Sequence, residues 1–150
     1  SEDEPPTIEW CLNTATNAVQ RYPNLRGLIL DPYNEFEHKR PAGYTETEYV
    51  SLMLASIKRW ASTHGVHVWL VAHPTKLRRN MDGSFPTPTA QDISGSANFY
   101  NKCDNLLIVE RDFTPNSHDV RVHVKKIRFR QSGKLGVIEL KFDPNTGNYS

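Results

Sequence analysis

Two short apolar runs flanking one strongly signalled helix constrain this chain more than anything else in it. The first run, Leu25 to Asp31, contains Gly27-Leu28-Ile29-Leu30 and stops on a carboxylate. An apolar run of that length, bounded by a turn signal, suits a central strand of a parallel sheet. Thr45-Glu46-Thr47-Glu48 is a capping box, in which Thr45 caps a helix and Glu48 reaches back to it. That helix is expected to run to about His64, with Tyr49, Leu52, Met53, Ile57 and Trp60 on its apolar face, and Gly65 stops it. Val66 to Ala72 is the second buried strand, and His73-Pro74 ends it. Strand, helix and strand at these lengths form a βαβ unit. The two strands are therefore parallel and the crossover right-handed.

The remaining elements follow from the same periodicities. Thr7 to Tyr22 reads as a helix, with Ile8, Leu12, Ala15 and Val19 on one face and Pro23 ending it. A polar loop covers Asn34 to Tyr44, and a longer one Thr75 to Gln91. Structureless loops of the second length are often functional. Ser94 to Cys103 reads as a short helix and Asn105 to Glu110 as a third strand. Val120–Arg128 and Leu135–Phe142 alternate around Ser132-Gly133 and read as a β-hairpin. The acidic stretch 1–6 reads as disordered. Tyr33, Trp60, Trp69 and Phe99 are expected in the core. His38, His64, His67, His118 and His123 lack the spacing of a metal cluster and read as structural.

Composition narrows the class. A chain of 150 residues with 37% hydrophobic content can bury one real core. No apolar run approaches the roughly 18 residues that span a bilayer, so no membrane partner is expected. Two cysteines, Cys11 and Cys103, are too few for a disulfide framework or a zinc site, which points to a reducing intracellular setting. Charge is unevenly placed. Residues 1–75 carry six Lys/Arg against nine Asp/Glu, and residues 76–150 carry twelve against eight. Arg121 to Lys134 holds six basic residues and no acidic one, a stripe suited to phosphate or nucleic acid.

Three polar residues fall at strand ends: Asp31, His73 and Arg128. Ligands of open α/β sheets sit beyond the carboxyl ends of the strands. A carboxylate there is placed to hold Mg²⁺ against a nucleotide phosphate, as in a Walker B motif. A guanidinium pairs bidentately with phosphate and stays charged. These are parts of a nucleotide triphosphatase. The phosphate-cradling G-x-x-x-x-G-K-[ST] loop is not found in the 150 residues. A metal-dependent nuclease using Asp31, Glu35 and Glu37 would need carboxylates from several strand ends, and only Asp31 stands at one.

The order of four segments carries a resemblance. GLILDPYNE (Gly27–Glu35), VWLVAHPTK (Val68–Lys76), DISGSANFYNKCDNLLIVER (Asp92–Arg111) and KKIRFRQSGKLGVIELKFDPNTG (Lys125–Gly147) resemble the C-terminal part of the RecA-like motor domain of DnaB-type ring helicases. They are closest to the Twinkle-like and bacteriophage primase–helicase branch. The resemblance implies a RecA-like α/β fold over residues 7–150, largely parallel, with flanking helices and a C-terminal hairpin. It implies ATP and Mg²⁺ as cofactors, 5′–3′ unwinding, and a homo-oligomeric ring of six or seven subunits around single-stranded DNA. The location implied is intracellular and DNA-associated: a bacterial cytoplasm, a phage-infected cell or an organelle matrix.

Residue by residue, Asp31 resembles the Walker B carboxylate and metal holder, and His73 the sensor of the γ-phosphate. Lys126 and Arg128 resemble the basic pair that enters the neighbouring subunit's ATP site, with Arg128 as the finger. Arg111 and Phe142 match positions that hold the adenine base. Lys76, Arg78, Arg79 and Asn80 match the loop facing single-stranded DNA, and Gly95 and Ser96 lie near its far end.

The missing phosphate loop, and the missing acidic residue that orients the attacking water, are departures from the family pattern. The chain is accordingly expected to be a fragment of a longer primase–helicase that does not hydrolyse ATP alone. Apolar sheet edges near Leu28 or Val68 are expected to be uncovered, which would make the isolated chain marginally stable or self-pairing. The alternative is a non-catalytic RecA-like module that binds single-stranded DNA or a replication partner.

Overall fold

Thr7 and Thr45 start the first two helices as their chemistry dictates. In the computed structural model, which describes residues 5–75, 77, 81, 85–93, 97–112 and 114–150, α1 spans Ile8–Arg21. The Thr7 hydroxyl accepts from the Trp10 N–H at 3.1 Å. Strand β1 (Gly27–Leu30) follows, then α2 (Glu46–His64). At the head of α2 the full capping box forms, with Glu48 Oε2 accepting from the Thr45 N–H at 2.8 Å. Its reciprocal hydrogen bonds hold the Glu48 carboxyl below the usual carboxylate range. Gly65 ends α2 in the left-handed region at φ 61°, where a side chain would be strained.

Strand β2 (His67–Leu70) returns parallel to β1, with Leu28 opposite Val68 and Leu30 opposite Leu70. This is the βαβ unit expected from the sequence. The core lies between this pair and the helices. It comprises Ile8, Leu12 and Ala15 of α1, Val50, Met53, Ile57 and Trp60 of α2, and Leu30, Tyr33, Val66 and Phe99. Trp60 buries its ring and donates its indole N–H to Thr16 Oγ1 at 2.8 Å, which ties α2 to α1.

After the second strand the chain makes a short 3₁₀ turn, Ala90–Asp92, and α3 (Asn98–Lys102), shorter than the expected 94–103 helix. Strands β3 (Asn105–Arg111), β4 (Asp119–Ile127) and β5 (Gly136–Lys141) then form a separate antiparallel sheet in the order β3-β4-β5. The expected hairpin is β4-β5. Parallel pairing is confined to β1 and β2, and β3 joins the hairpin as a third antiparallel strand. Of the expected disordered stretch 1–6, residues 1–4 lie outside the described residues. The Pro6 carbonyl accepts from the Glu37 N–H at 3.1 Å. No helix among the described residues is long and apolar enough to cross a membrane, and both cysteines are free.

Three expectations are corrected. Neither parallel strand is buried on both faces: Ile29 is 67% and Trp69 51% exposed, while Leu28, Leu30, Val68 and Leu70 face the helices. Side chains alternate across a strand, and among the described residues the helices cover one face only. Trp69 therefore leaves the core and stacks beside His67, ring centroids 4.7 Å apart. Leu52 leaves the apolar face of α2, since the buried stripe runs through Val50, Met53, Ile57 and Trp60, and Leu52 is set off from it by one residue's rotation.

Candidate functional site

The parallel pair extends past its formal ends and carries two of the strand-end residues with it. The Val71 N–H donates to the Leu30 carbonyl at 2.9 Å, and the Tyr33 N–H donates to the Val71 carbonyl at 2.7 Å. Asp31 lies within this extension. Pro32, which follows it, has no N–H to give, so the ladder skips to Tyr33. Tyr33 is buried, with its ring edge-on to Phe99 at 5.1 Å and tilted against His38 at 4.4 Å. His38 is in turn within 3.3 Å of the Tyr49 hydroxyl, so the turn after Asp31 is packed onto α2. Asn34 then closes the arrangement across to the other strand. Its side-chain carbonyl accepts from the His73 N–H at 2.8 Å, and its amide donates to the His73 carbonyl at 3.3 Å.

Asp31 and His73 thus stand at adjacent strand ends, Asp31 exposed and His73 at least partly so. Among the described residues no hydrogen bond or ion pair engages the Asp31 carboxylate, so its oxygens remain open to a cation or to water. No group of three or more His, Cys, Asp or Glu side chains among the described residues could hold a metal ion by itself. Glu37 pairs instead with Lys39 at 3.1 Å. A single carboxylate suits Mg²⁺, which keeps most of its waters and takes phosphate oxygens as further ligands.

A second group gathers at the ends of β3 and β4. The Lys126 ammonium donates to the Tyr100 carbonyl at 2.6 Å and the Asn101 carbonyl at 3.3 Å, and sits 4.9 Å from the Tyr100 ring centroid. These carbonyls belong to the last turn of α3, where a cation is favoured. Arg128 faces Asp104 across the strands. Its N–H donates to the Asp104 carbonyl at 2.8 Å, and its guanidinium to Asp104 Oδ1 at 2.9 Å. Lys58 of α2 reaches the same oxygen at 2.6 Å. Burial works against the ionised form of Asp104, but hydrogen bonds and charge from Lys58 and Arg128 outweigh it and hold the carboxyl below the usual range. Burial raises the neighbouring Cys103 thiol.

The two residues assigned to the base come together. The Arg111 guanidinium lies over the Phe142 ring, 5.0 Å from its centroid, and Tyr149 flanks that ring at 5.1 Å. They are 31 residues apart in sequence, and the strand order β3-β4-β5 carries them to the same end of the sheet. A planar cation beside an aromatic face is an environment that accepts a purine by stacking.

Inside the same sheet, Glu110 is a hub that sequence reading missed. It accepts from His123 Nε2 at 2.8 Å, from Thr87 Oγ1 at 3.1 Å and from Arg121 at 3.3 Å. Burial raises its pKa, and these partners together bring it below the ordinary value. Asn34 and Asp104 were also missed as site residues. Both lie in the quoted segments, but neither residue type at its position signals a partner elsewhere in the chain.

The loop residues assigned to DNA, Lys76, Arg78, Arg79, Asn80, Gly95 and Ser96, lie outside the described residues. The neck of the loop does not. The Thr75 N–H and hydroxyl both donate to the Asp92 carbonyl, at 2.7 and 3.0 Å, so the two ends of the long loop meet.

Comparison with known proteins agrees with this architecture. The chain is 48% identical over 151 aligned residues to the Twinkle homolog protein, chloroplastic/mitochondrial, of Arabidopsis thaliana. The alignment covers 99% of this chain and 21% of that protein, so the chain spans about a fifth of the length of the curated relative it matches. Among solved structures, an isolated ATPase domain matches with a TM-score of 0.77 at 19% identity, covering 97% of this chain and 51% of that one. A DnaB-like replicative helicase, described together with its interactions with primase, matches with a TM-score of 0.77 at 18% identity, covering 97% and 36%. No protein-family profile matches the chain. The fold is RecA-like, in the form of a partial domain, and the likeness to the C-terminal part of a Twinkle-like, DnaB-type helicase motor holds in sequence and in fold.

Proposed function

We propose that this chain is the C-terminal part of the ATP-driven motor of a replicative, Twinkle-like DNA helicase. The observation that carries the reading is the pairing of β1 with β2, which sets Asp31 and His73 side by side beyond the strand ends and braces them through Asn34. In this reading Asp31 holds Mg²⁺ on the nucleotide, and the bound metal neutralises charge on the phosphate oxygens. His73 senses the terminal phosphate and passes its state along the chain to Thr75, where the DNA loop begins. Arg111 and Phe142 hold the base. Lys126 and Arg128 serve the nucleotide of the next subunit, so the complete site forms only in a head-to-tail ring, hexameric or heptameric. Lys76, Arg78, Arg79 and Asn80, with Gly95 and Ser96, follow the phosphates of single-stranded DNA without reading sequence. The setting is intracellular and DNA-associated.

The test is hydrolysis of ATP, stimulated by single-stranded DNA, in the longer protein that supplies a phosphate-binding loop. Asp31→Asn should lower kcat by roughly 100-fold or more while single-stranded DNA binding persists. Wild-type turnover in Asp31→Asn would overturn the reading. Salt-sensitive DNA binding by this chain, with no ATP hydrolysis in the longer protein, would favour a non-catalytic single-stranded DNA-binding module instead.

A further inference from the structure

Asp104 engages Arg128 twice, through the backbone and through the guanidinium, and it does so from the strand directly opposite. The next pair inward is Asn105 with Ile127, so the Asp104–Arg128 contact is the last rung of the β3-β4 ladder. Only one guanidinium nitrogen, NH1, is held by the carboxylate, and the Arg128 side chain is 52% exposed. The remaining N–H groups of the fork stay available on the solvent side. The carboxylate is also shared. Lys58, on α2, sits 2.6 Å from the same Oδ1, so Asp104 keeps a counter-charge whatever Arg128 does.

We infer that Asp104, with Lys58 behind it, is the positioning residue that aims Arg128 out of its own subunit toward the phosphate it serves. The inference rests on the reading of Arg128 as a finger acting on the neighbouring site. A long arginine side chain left to itself samples many rotamers, and most of them point away from a target on another subunit. One anchored N–H removes most of that freedom while leaving the other face of the fork free for a bidentate phosphate contact. The sharing of Oδ1 matters for the approach. If Arg128 loosens its grip to follow the phosphate, Lys58 still neutralises the carboxylate, and no unpaired charge is left behind. A half-exposed ion pair adds little to folding stability, so direction is the larger part of what this contact contributes. Lys126 is seated by the same short segment, through the carbonyls of Tyr100 and Asn101, so residues 100–104 form a receptacle for both members of the basic pair.

The test is a double-mutant cycle in the longer, ring-forming protein, with DNA-stimulated ATP hydrolysis as the readout and Asp104→Ala, Arg128→Ala and the double variant compared. Misplacement of a reacting group by about 1 Å can cost on the order of 100-fold. Asp104→Ala should therefore lower kcat roughly 10- to 100-fold with KM for ATP within about twofold of wild type. In the Arg128→Ala background it should cost nothing further, because its effect runs through that side chain. Asp104→Asn, which keeps an acceptor for NH1, should recover part of the loss. Thermal unfolding of each variant guards against a folding defect. An unchanged kcat in both Asp104 variants overturns the inference and leaves the finger standing. A loss that multiplies with Arg128→Ala does the same, since Asp104 would then act by another route. Full turnover in Arg128→Ala overturns the finger and this inference together.

Discussion

Asn34 holds His73 by both ends of its side-chain amide, accepting from the backbone N–H at 2.8 Å and donating to the backbone carbonyl at 3.3 Å. One side chain thereby does what a further rung of backbone ladder would do, at the point where β1 and β2 have stopped pairing. It links the turn that follows Asp31 to the residue that precedes the long loop. A change at the Asp31 end has a short, stiff route to Thr75.

Removing that link should be measurable on its own. Asn34→Ala loses two hydrogen bonds, each worth about 1 kcal/mol net, and should destabilise the chain by about 1–2 kcal/mol in denaturant unfolding. Asn34→Asp keeps the acceptor for the His73 N–H and loses the donor, so it should fall between wild type and Asn34→Ala. Unchanged stability in Asn34→Ala would show that the clamp is loose in solution.

The corrected face of α2 makes a sharper contrast. Ile57→Ala opens a cavity in the core and should cost about 2–5 kcal/mol. Leu52→Ala, half-exposed on the same helix, should stay within about 0.5 kcal/mol of wild type. Equal losses from the two would restore Leu52 to the buried stripe.

Acid should act through Glu110. Its carboxyl is held below the ordinary value, about 4.3, by His123, Thr87 and Arg121. A group whose folded pKa is depressed contributes stability above its unfolded pKa, and that contribution is lost as pH falls through the folded pKa. Denaturant midpoints should therefore drop below about pH 4, and Glu110→Gln should flatten that part of the profile while lowering the plateau near neutrality. An acid profile that Glu110→Gln leaves unchanged would shift the effect to Asp104, Asp112 or Asp143, which are also depressed.

Base holding separates cleanly from chemistry. Phe142→Ala in the longer protein should raise KM for ATP a few-fold, the equivalent of about 1 kcal/mol of stacking, and leave kcat nearly unchanged. Arg111→Ala should behave alike. A selective fall in kcat would place these residues at the phosphates.

The uncovered face of the parallel pair predicts self-association of the isolated chain. Ile29, Trp69 and Val71 are exposed together on β1, β2 and the residue that follows β2. Trp69→Ser combined with Ile29→Thr should shift the chain toward monomer in sedimentation velocity, because apolar sheet surface of this kind drives pairing. A wild-type chain that is monomeric at high concentration would count against this.

The order of elements and the strand ends were legible in the sequence because they depend on local chemistry. Thr7 and Thr45 cap the helices that follow them, Gly65 takes the left-handed turn, and apolar periodicity separates strand from helix. Asp31 and His73 could be placed from that order alone, since a βαβ unit leaves both strand ends on one side. What the sequence left open depends on register and on which face of an element meets another. Asn34 meets His73 across 39 residues and Lys58 meets Asp104 across 46. Arg111 meets Phe142 only because β4 lies between β3 and β5. Ile29 and Trp69 read as core because they are apolar, and tertiary structure put them outside because strand side chains alternate and the helices cover one face. Periodicity acts over a few residues and can be read from one chain, whereas pairing across the fold exists only once the sheet register and helix packing have been chosen.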